Sequence, residues 1–161
     1  SNVIDMRWMF YNCPSLTTVP LFNTSNVTNM ANMFWNCISL SSVPLFNTYN
    51  VLNMSDMFSR CSSLSSVPLF NTSNVKYMPS MLSFCTSLTS IPLFNTTKLE
   101  DLDAAFQDCR NVQSGALALY QQASTQTNPP SSHYMTFTMC GVNTETGSAE
   151  LAQIPYSWRS L

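Results

Sequence analysis

Apolar residues recur along most of this chain in one fixed arrangement. In the copy that starts at Leu40, the run Leu40-Ser-Ser-Val43-Pro-Leu-Phe46 is β-branched and aromatic with polar residues between, which predicts a short strand. After Asn47-Thr48 come Val51, Met54, Met57, Phe58 and Cys61, at offsets of 0, 3, 6, 7 and 10. That spacing puts five apolar side chains on one side of a short helix. The arrangement then returns: Cys13, Cys37, Cys61, Cys85 and Cys109 stand at one constant interval, and Val-Pro-Leu-Phe-Asn-Thr at 19–24, 43–48 and 67–72 becomes Ile-Pro-Leu-Phe-Asn-Thr at 91–96. A constant period of this length predicts an α/β leucine-rich repeat solenoid of 24-residue units, with one strand and one short helix in each. A single unit has too few apolar side chains to fold alone, so each must be completed by its neighbours.

Several details follow within the unit. Pro79 occupies the position of Ser55 and Ala31 and is tolerated only in a first turn, so the helix is expected to begin there. The position that opens it holds Asp5, Asn29, Asn53 and Asp101, good capping residues, with Tyr77 the one poor cap. Strict alternation along the strand would leave Phe46 outside with Pro44. A bend after Pro44 reverses the last pair, and we expect Phe46 inside and Leu45 outside, because a Phe exposed in every unit is costly. Asn23, Asn47, Asn71 and Asn95, each followed by Thr, sit where the chain leaves the strand, and stacked amides there are expected to satisfy loop backbone in adjacent units.

Beyond Cys109 the pattern loosens. Val112 takes the place of Leu88, and Ser114 to Gln126 reads as a helix capped by Ser114. Asn128-Pro-Pro-Ser-Ser132 is a break. Phe137-Thr-Met-Cys140 then repeats Phe34-Trp-Asn-Cys37, set back from Cys109 by an insertion of seven beyond the regular period. Leu151-Ala-Gln-Ile154-Pro155 repeats Leu40-Ser-Ser-Val43-Pro44 after a further insertion. Residues 1–112 thus form the solenoid and 113–161 a degenerate C-terminal capping repeat, with Tyr156 and Trp158 covering the open core. A separate small domain is the alternative for 113–161.

Composition narrows the function. At 161 residues, one domain is expected. Only 9% of residues are charged, against about 25% in an ordinary domain. With a net charge of -2 and six scattered Lys and Arg, neither nucleic acid nor an anionic membrane is an expected partner. No apolar run approaches the ~20 residues of a membrane span. Ser1-Asn2-Val3 matches Ser25-Asn26-Val27, so the chain starts inside a repeat and any secretion signal is expected upstream.

Chemistry-bearing motifs are few. Rung-to-rung disulfides would leave an odd cysteine over, and a metal site would want C-x-x-C pairs or nearby histidine, of which there is only His133. Buried free thiols packing as small hydrophobes are expected instead, with no metal and no cofactor. Glu100, Asp101 and Asp103 cluster without any nucleophile constellation, so no enzyme is expected. Asn23, Asn26, Asn53, Asn71 and Asn95 begin glycosylation-type triplets, which repeats rich in Ser, Thr and Asn generate by chance.

With the strand, Asn-Thr, Ser-Asn-Val, Met-x-x-Met-Phe-x-x-Cys and x-Ser-Leu all in place, residues 1–112 resemble the BspA-type leucine-rich repeats of bacterial surface proteins. Similar repeats occur in phage-encoded proteins. The resemblance implies an extracellular or cell-surface setting, or a virion surface if phage-encoded, and a role in adhesion or ligand binding. It carries over no functional residues. Family members often have a polar residue where this chain has Leu21, Leu45, Leu69 and Leu93, in agreement with Leu facing out.

Comparison of the copies separates scaffold from free positions. On a helix whose core side is Met54, Met57, Phe58 and Cys61, the outermost positions are those of Asp56 and Ser59. Across the copies these hold Trp8, Asn32, Asp56 and Ser80, and Tyr11, Trp35, Ser59 and Ser83, flanked by Arg7, Asn36, Arg60 and Phe84. Tyr49 and Tyr77 lie in the loop before. Rings and guanidinium groups are what recognition surfaces favour, so the candidate ligand-binding residues are Trp8, Tyr11, Trp35, Arg7, Tyr49, Arg60, Tyr77 and Phe84. The expected function is a binding or adhesion module for a protein or glycan on a host or neighbouring cell. A passive spacer and a phage tail-fibre or receptor-binding segment are the alternatives. The outer face could also carry no binding role, or the Ser/Thr-lined strand face with its Leu ladder could be the site.

Overall fold

The computed structural model describes residues 2–159; Ser1, of the Ser1-Asn2-Val3 match, lies outside the described residues. Backbone bridges in parallel sense join Asp5 to Asn29, Asn29 to Asn53, Asn53 to Tyr77 and Tyr77 to Asp101, each one repeat on, and a longer step then joins Asp101 to Ser132. The chain is therefore a stack of rungs, and the longer last step is the insertion of seven read between Cys109 and Cys140. Val51, Met54, Met57, Phe58 and Cys61 have no exposed surface, so the apolar spacing picked the core correctly.

The local conformation differs from the expected helix. Residues 30–37 form a ribbon of overlapping turns. Met33, Trp35 and Cys37 donate their N–H groups three residues back, to Met30, Asn32 and Phe34. Met30, Asn32, Phe34 and Asn36 donate theirs to Asn53, Ser55, Met57 and Ser59 of the next rung, at 2.8 to 3.0 Å. A helix would turn its N–H groups beyond the first turn onto its own carbonyls and leave no alternating set to join the rungs. The ribbon is possible because two residues per rung have left-handed backbone: Trp8 and Asn12, Asn32 and Asn36, Asp56 and Arg60, Ser80 and Phe84, Ala104 and Asp108, Met135 and Met139. Asn and Asp accept that region more readily than other side chains.

The expected caps have a related task. Asn29, Asn53, Asp101 and Asp5 accept the N–H two residues on, at 2.8 to 3.0 Å, and so open each turn ribbon. Tyr77, which cannot do this, donates its hydroxyl to Glu100 instead.

The Leu40–Phe46 stretch is extended but is not a named strand. Ladder contacts here are sparse, as in Ser41 N–H to Thr17 at 3.1 Å and Thr89 N–H to Ser65 at 3.1 Å. Proline explains it: without an N–H it interrupts the ladder, and the chain folds back so that Phe70 donates to the Pro68 carbonyl at 2.9 Å. That bend turns Leu69 outward, 61% exposed, and Phe70 inward, 2% exposed. The choice of Phe46 inside and Leu45 outside is borne out.

Two columns of rings run through the core. Phe10, Phe34 and Phe58 stack at 5.4 and 5.5 Å, Phe22, Phe46 and Phe70 at 6.0 and 6.3 Å, and Phe58 meets Phe70 at 6.0 Å. Beside them, the thiols of Cys37, Cys61, Cys85 and Cys109 point at the backbone oxygens of Phe10, Phe34, Phe58 and Leu82, at 3.0 to 3.1 Å. All six cysteines are free thiols; Cys37, Cys61, Cys85 and Cys109 are buried as expected, Cys140 is buried too, and Cys13 is only half-buried. Burial raises the Cys37 thiol, pushes Cys61 up to about 12 and raises Cys85, Cys109 and Cys140 well above the usual range.

At the loop, Thr and Asn divide the work differently from the expectation of stacked amides. The buried hydroxyls of Thr24, Thr48 and Thr72 donate across rungs to Asn47, Asn71 and Asn95 carbonyls, each at 2.9 Å. The Asn side chains stay in their own loops and accept from the residue two on, as Asn47 does from Tyr49 N–H at 3.1 Å.

After the last regular rung comes α1 (Ala116–Thr125), whose capping position is held by Gly115 and not by Ser114. Ser114 extends the ladder, bridging to Ser90. A turn ribbon then reappears, with Leu102, Ala104, Phe106 and Asp108 donating to Ser132, Tyr134, Thr136 and Thr138 at 2.8 to 2.9 Å. Phe137 continues the ring column from Phe106 at 5.6 Å. Helix α2 (Glu145–Gln153) follows, its first turn capped by the Thr144 hydroxyl. Leu151-Ala-Gln lies in this helix, unlike Leu40-Ser-Ser, though Ile154 is buried as Val43 is. Trp158 covers the end of the core as expected, stacked on His133 at 4.2 Å and Phe137 at 6.3 Å. Tyr156 does not: it is 71% exposed, held out by the 3₁₀ turn Tyr156–Trp158.

Candidate functional site

Because the ribbon is not a helix, the outermost positions shift. Ser59 and Ser83 are buried, their hydroxyls 3.0 Å apart across two rungs. Asn32, Asp56 and Ser80 are half-buried. Burial raises the Asp56 carboxyl above its ordinary value. The expectation that these polar positions are outermost is therefore corrected.

The rings and guanidinium groups behave differently: Tyr11 and Trp35 are larger than the Ser59 and Ser83 that share their position, and Arg60 and Phe84 stand one residue further on. Tyr11 stacks on Trp35 with centroids 4.7 Å apart and planes within 8°. The Arg60 guanidinium lies 5.9 Å from the Trp35 ring and 5.0 Å from the Phe84 ring. Tyr11, Trp35, Arg60 and Phe84 thus form one continuous row across four rungs, in the order ring, ring, cation, ring. In the rung of Tyr11, Arg7 lies 5.0 Å over Trp8 and is paired with Asp5 at 2.7 Å. The hydrogen bonds between them lower the Asp5 carboxyl and raise Arg7. Trp8 and Tyr11 are exposed, whereas Trp35 and Phe84 are half-buried beneath their neighbours. Cation–ring contacts at such exposed sites are weak, but the stacking covers part of the row's apolar surface internally.

Tyr49 and Tyr77 do not join the row. They are exposed, 58% and 39%, on the loop side, where Tyr77 is tied to Glu100 at 3.1 Å. A second exposed feature runs along the bend. Leu21, Leu45, Leu69 and Leu93 make a stripe, each 52% exposed or more, and the Val-Pro-Leu-Phe repeat is its sequence signal. No group of His, Cys, Asp and Glu able to hold a metal occurs among the described residues, and no described helix is long and apolar enough to cross a membrane.

The family model described as "Mycoplasma protein of unknown function, DUF285" matches residues 1–119. No curated protein matches. Among solved structures, a leucine-rich repeat protein of T. pallidum is similar at 18% identity and a TM-score of 0.57, with 99% of this chain and 81% of that one covered. A leucine-rich repeat protein of Eubacterium ventriosum is similar at 24% identity and a TM-score of 0.51, covering 66% of this chain and 28% of that one. A leucine-rich cell surface protein of Faecalibacterium prausnitzii is similar at 21% identity and 0.51, covering 69% and 30%. The chain spans about four fifths of the first protein but under a third of the other two. At these identities the likeness is one of fold, and the fold is the leucine-rich repeat solenoid that the sequence resembles.

Proposed function

The chain belongs to the DUF285 family, and from that premise we propose that it is a non-enzymatic binding module of a cell or virion surface, recognising a protein or glycan through the row Tyr11, Trp35, Arg60 and Phe84 with Arg7 and Trp8 beside it. Residues 1–112 supply the repeated frame, and 113–161 close its end. The observation that carries the reading is the row itself. A regular stack has no use for Trp35 at the position where Ser59 and Ser83 pack well, nor for Arg60 and Phe84 one residue on, where Asn36 serves, and aligned flat rings offer contact area at little entropic cost. Buried thiols also suit an oxidising exterior, since the thiolate is the reactive form and burial suppresses it.

The test replaces Trp8 and Trp35 by Ser, which should leave the melting transition within a few degrees. Binding of the wild-type and double-variant proteins to a glycan array and to cultured cell monolayers is then compared. A recognition face predicts loss of at least about tenfold in affinity on whichever surface the wild type binds. Equal binding by both proteins would remove the row from the site. The stacked ring contacts also favour a second reading, a passive spacer whose rings merely pack on one another. Removing one 24-residue unit distinguishes the two, because a spacer keeps its function while a row that spans four rungs loses its register.

A further inference from the structure

A cavity of about 370 Å³ opens where the Asn128–Ser131 break runs beside the last regular loop. Its walls include Lys76, Lys98, Thr97, Glu100 and Asn128, with Leu99 and Pro129 as apolar surface. The chain has only two lysines, and both line this one cavity. Two lysines against one glutamate leave an excess positive charge in a protein of net charge -2.

The glutamate is already occupied. Its Oε1 pairs with Lys76 Nζ at 2.8 Å and its Oε2 accepts the Tyr77 hydroxyl at 3.1 Å. These bonds hold the Glu100 carboxyl below the usual range and raise Lys76. Lys98 has no carboxylate partner among the described ion pairs. A neutral Asn74 amide oxygen at 2.7 Å fixes its direction and leaves its other N–H donors free. Ser131 and Thr97 add hydroxyls, anchored on the Glu100 carbonyl at 2.9 Å and Asn95 Oδ1 at 2.6 Å.

We propose that this cavity binds a single hydroxylated ring bearing a carboxylate, a uronic acid unit, with the carboxylate on Lys98 and the ring lying on Pro129 and Leu99. The volume lies at the small end of ligand pockets, about 300 to 1,000 Å³, which fits one ring. Hydroxyl and amide groups on the rim suit ring hydroxyls. Two lysines against one glutamate leave one positive charge over, which balances the single charge of a carboxylate and not the nearly double charge of a phosphate.

The test is titration of D-glucuronate into isotope-labelled protein, followed by amide shifts. Saturable shifts at Thr97, Lys98, Asn128 and Ser131 in the millimolar range are expected, with glucose, acetate and inorganic phosphate each at least about tenfold weaker. Lys98→Gln should lose at least about tenfold with an unchanged melting temperature, and Lys98→Arg should recover most of it. Glucose, acetate or phosphate binding as well as glucuronate, or full binding by Lys98→Gln, would overturn the proposal. The cavity shares no residue with the ring row, so the Trp8 and Trp35 double variant retains glucuronate binding, and each proposal can fail without the other.

Discussion

Truncation of Phe58 to Ala measures how strongly one rung depends on those either side. Its side chain has no exposed surface, and its ring stacks on Phe34 at 5.5 Å and Phe70 at 6.0 Å. Its carbonyl also receives the Cys61 N–H at 3.0 Å and the Cys85 thiol at 3.1 Å, so backbone shifts there disturb the next rung too. Loss of a fully buried Phe costs about 3 to 5 kcal/mol, a third or more of the roughly 5 to 15 kcal/mol that holds a domain together. Phe58→Leu keeps most of the volume and forfeits two ring contacts at about 0.5 to 1.5 kcal/mol each. Leu82 already occupies this position one rung on, completely buried, so the site accepts Leu. Phe22→Ala at the half-buried first rung should cost about half as much as Phe58→Ala. Urea unfolding of the three variants, with midpoints compared at an unchanged slope, gives the ranking. A cost below about 1 kcal/mol for Phe58→Ala, or the same cost for Phe22→Ala, would refute the argument that burial comes from the neighbouring rungs.

Three further outcomes are expected. At pH 8 a thiol reagent should label Cys13 quickly and the other five cysteines only after unfolding, since Cys61 is pushed up to about 12 by burial and only Cys13 is partly exposed; labelling of a second thiol in Cys13→Ser at a comparable rate would contradict the buried column. Asp56→Asn should stabilise the fold at neutral pH on the order of 0.5 kcal/mol, because Asn32 already sits at this left-handed position and the Asp56 carboxyl is raised by burial. A raised carboxyl is a penalty present at neutral pH that disappears as pH falls below its unfolded value, so the advantage of Asn should fade in acid, and an advantage that persists there would show that charge burial is not its cause. Gly115→Ala should destabilise by more than about 1 kcal/mol despite Ala's better helix propensity, because φ is +101° and the added Cβ falls against the Ile91 carbonyl; an unchanged melting temperature would show that α1 can re-enter by another path.

The period, the core set and the burial of Trp158 were legible because they depend on apolar identity, and burial sorts residues by that property. Phe46 inside and Leu45 outside was legible from one fact, that proline cannot donate. The conformation of the Met54–Cys61 stretch was not. Apolar spacing records which residues face inward, and a helix and a turn ribbon can bury the same five side chains. The difference lies in where alternate N–H groups go, which only the neighbouring rung decides. A clue was present in Asn12, Asn32, Asn36, Asp56 and Asp108, since such residues recurring at two places per rung suit left-handed backbone. The row across Tyr11, Trp35, Arg60 and Phe84 was half legible: the residues were named, but their contact depends on a one-residue offset between Trp35 and Arg60 that follows from the ribbon and not from a helix. The cavity at Lys98 was not legible at all, because its walls come from residues 76 to 131 brought together by an insertion whose path the sequence leaves open.

Proton-to-proton contacts by NMR between backbone positions one repeat apart test the stacking most directly. The stacked rungs predict contacts from Asn29 to Asn53, Asn53 to Tyr77 and Tyr77 to Asp101, followed by the longer jump from Asp101 to Ser132. An unbroken run of helical contacts through Met54–Cys61, without those long-range pairs, would contradict it.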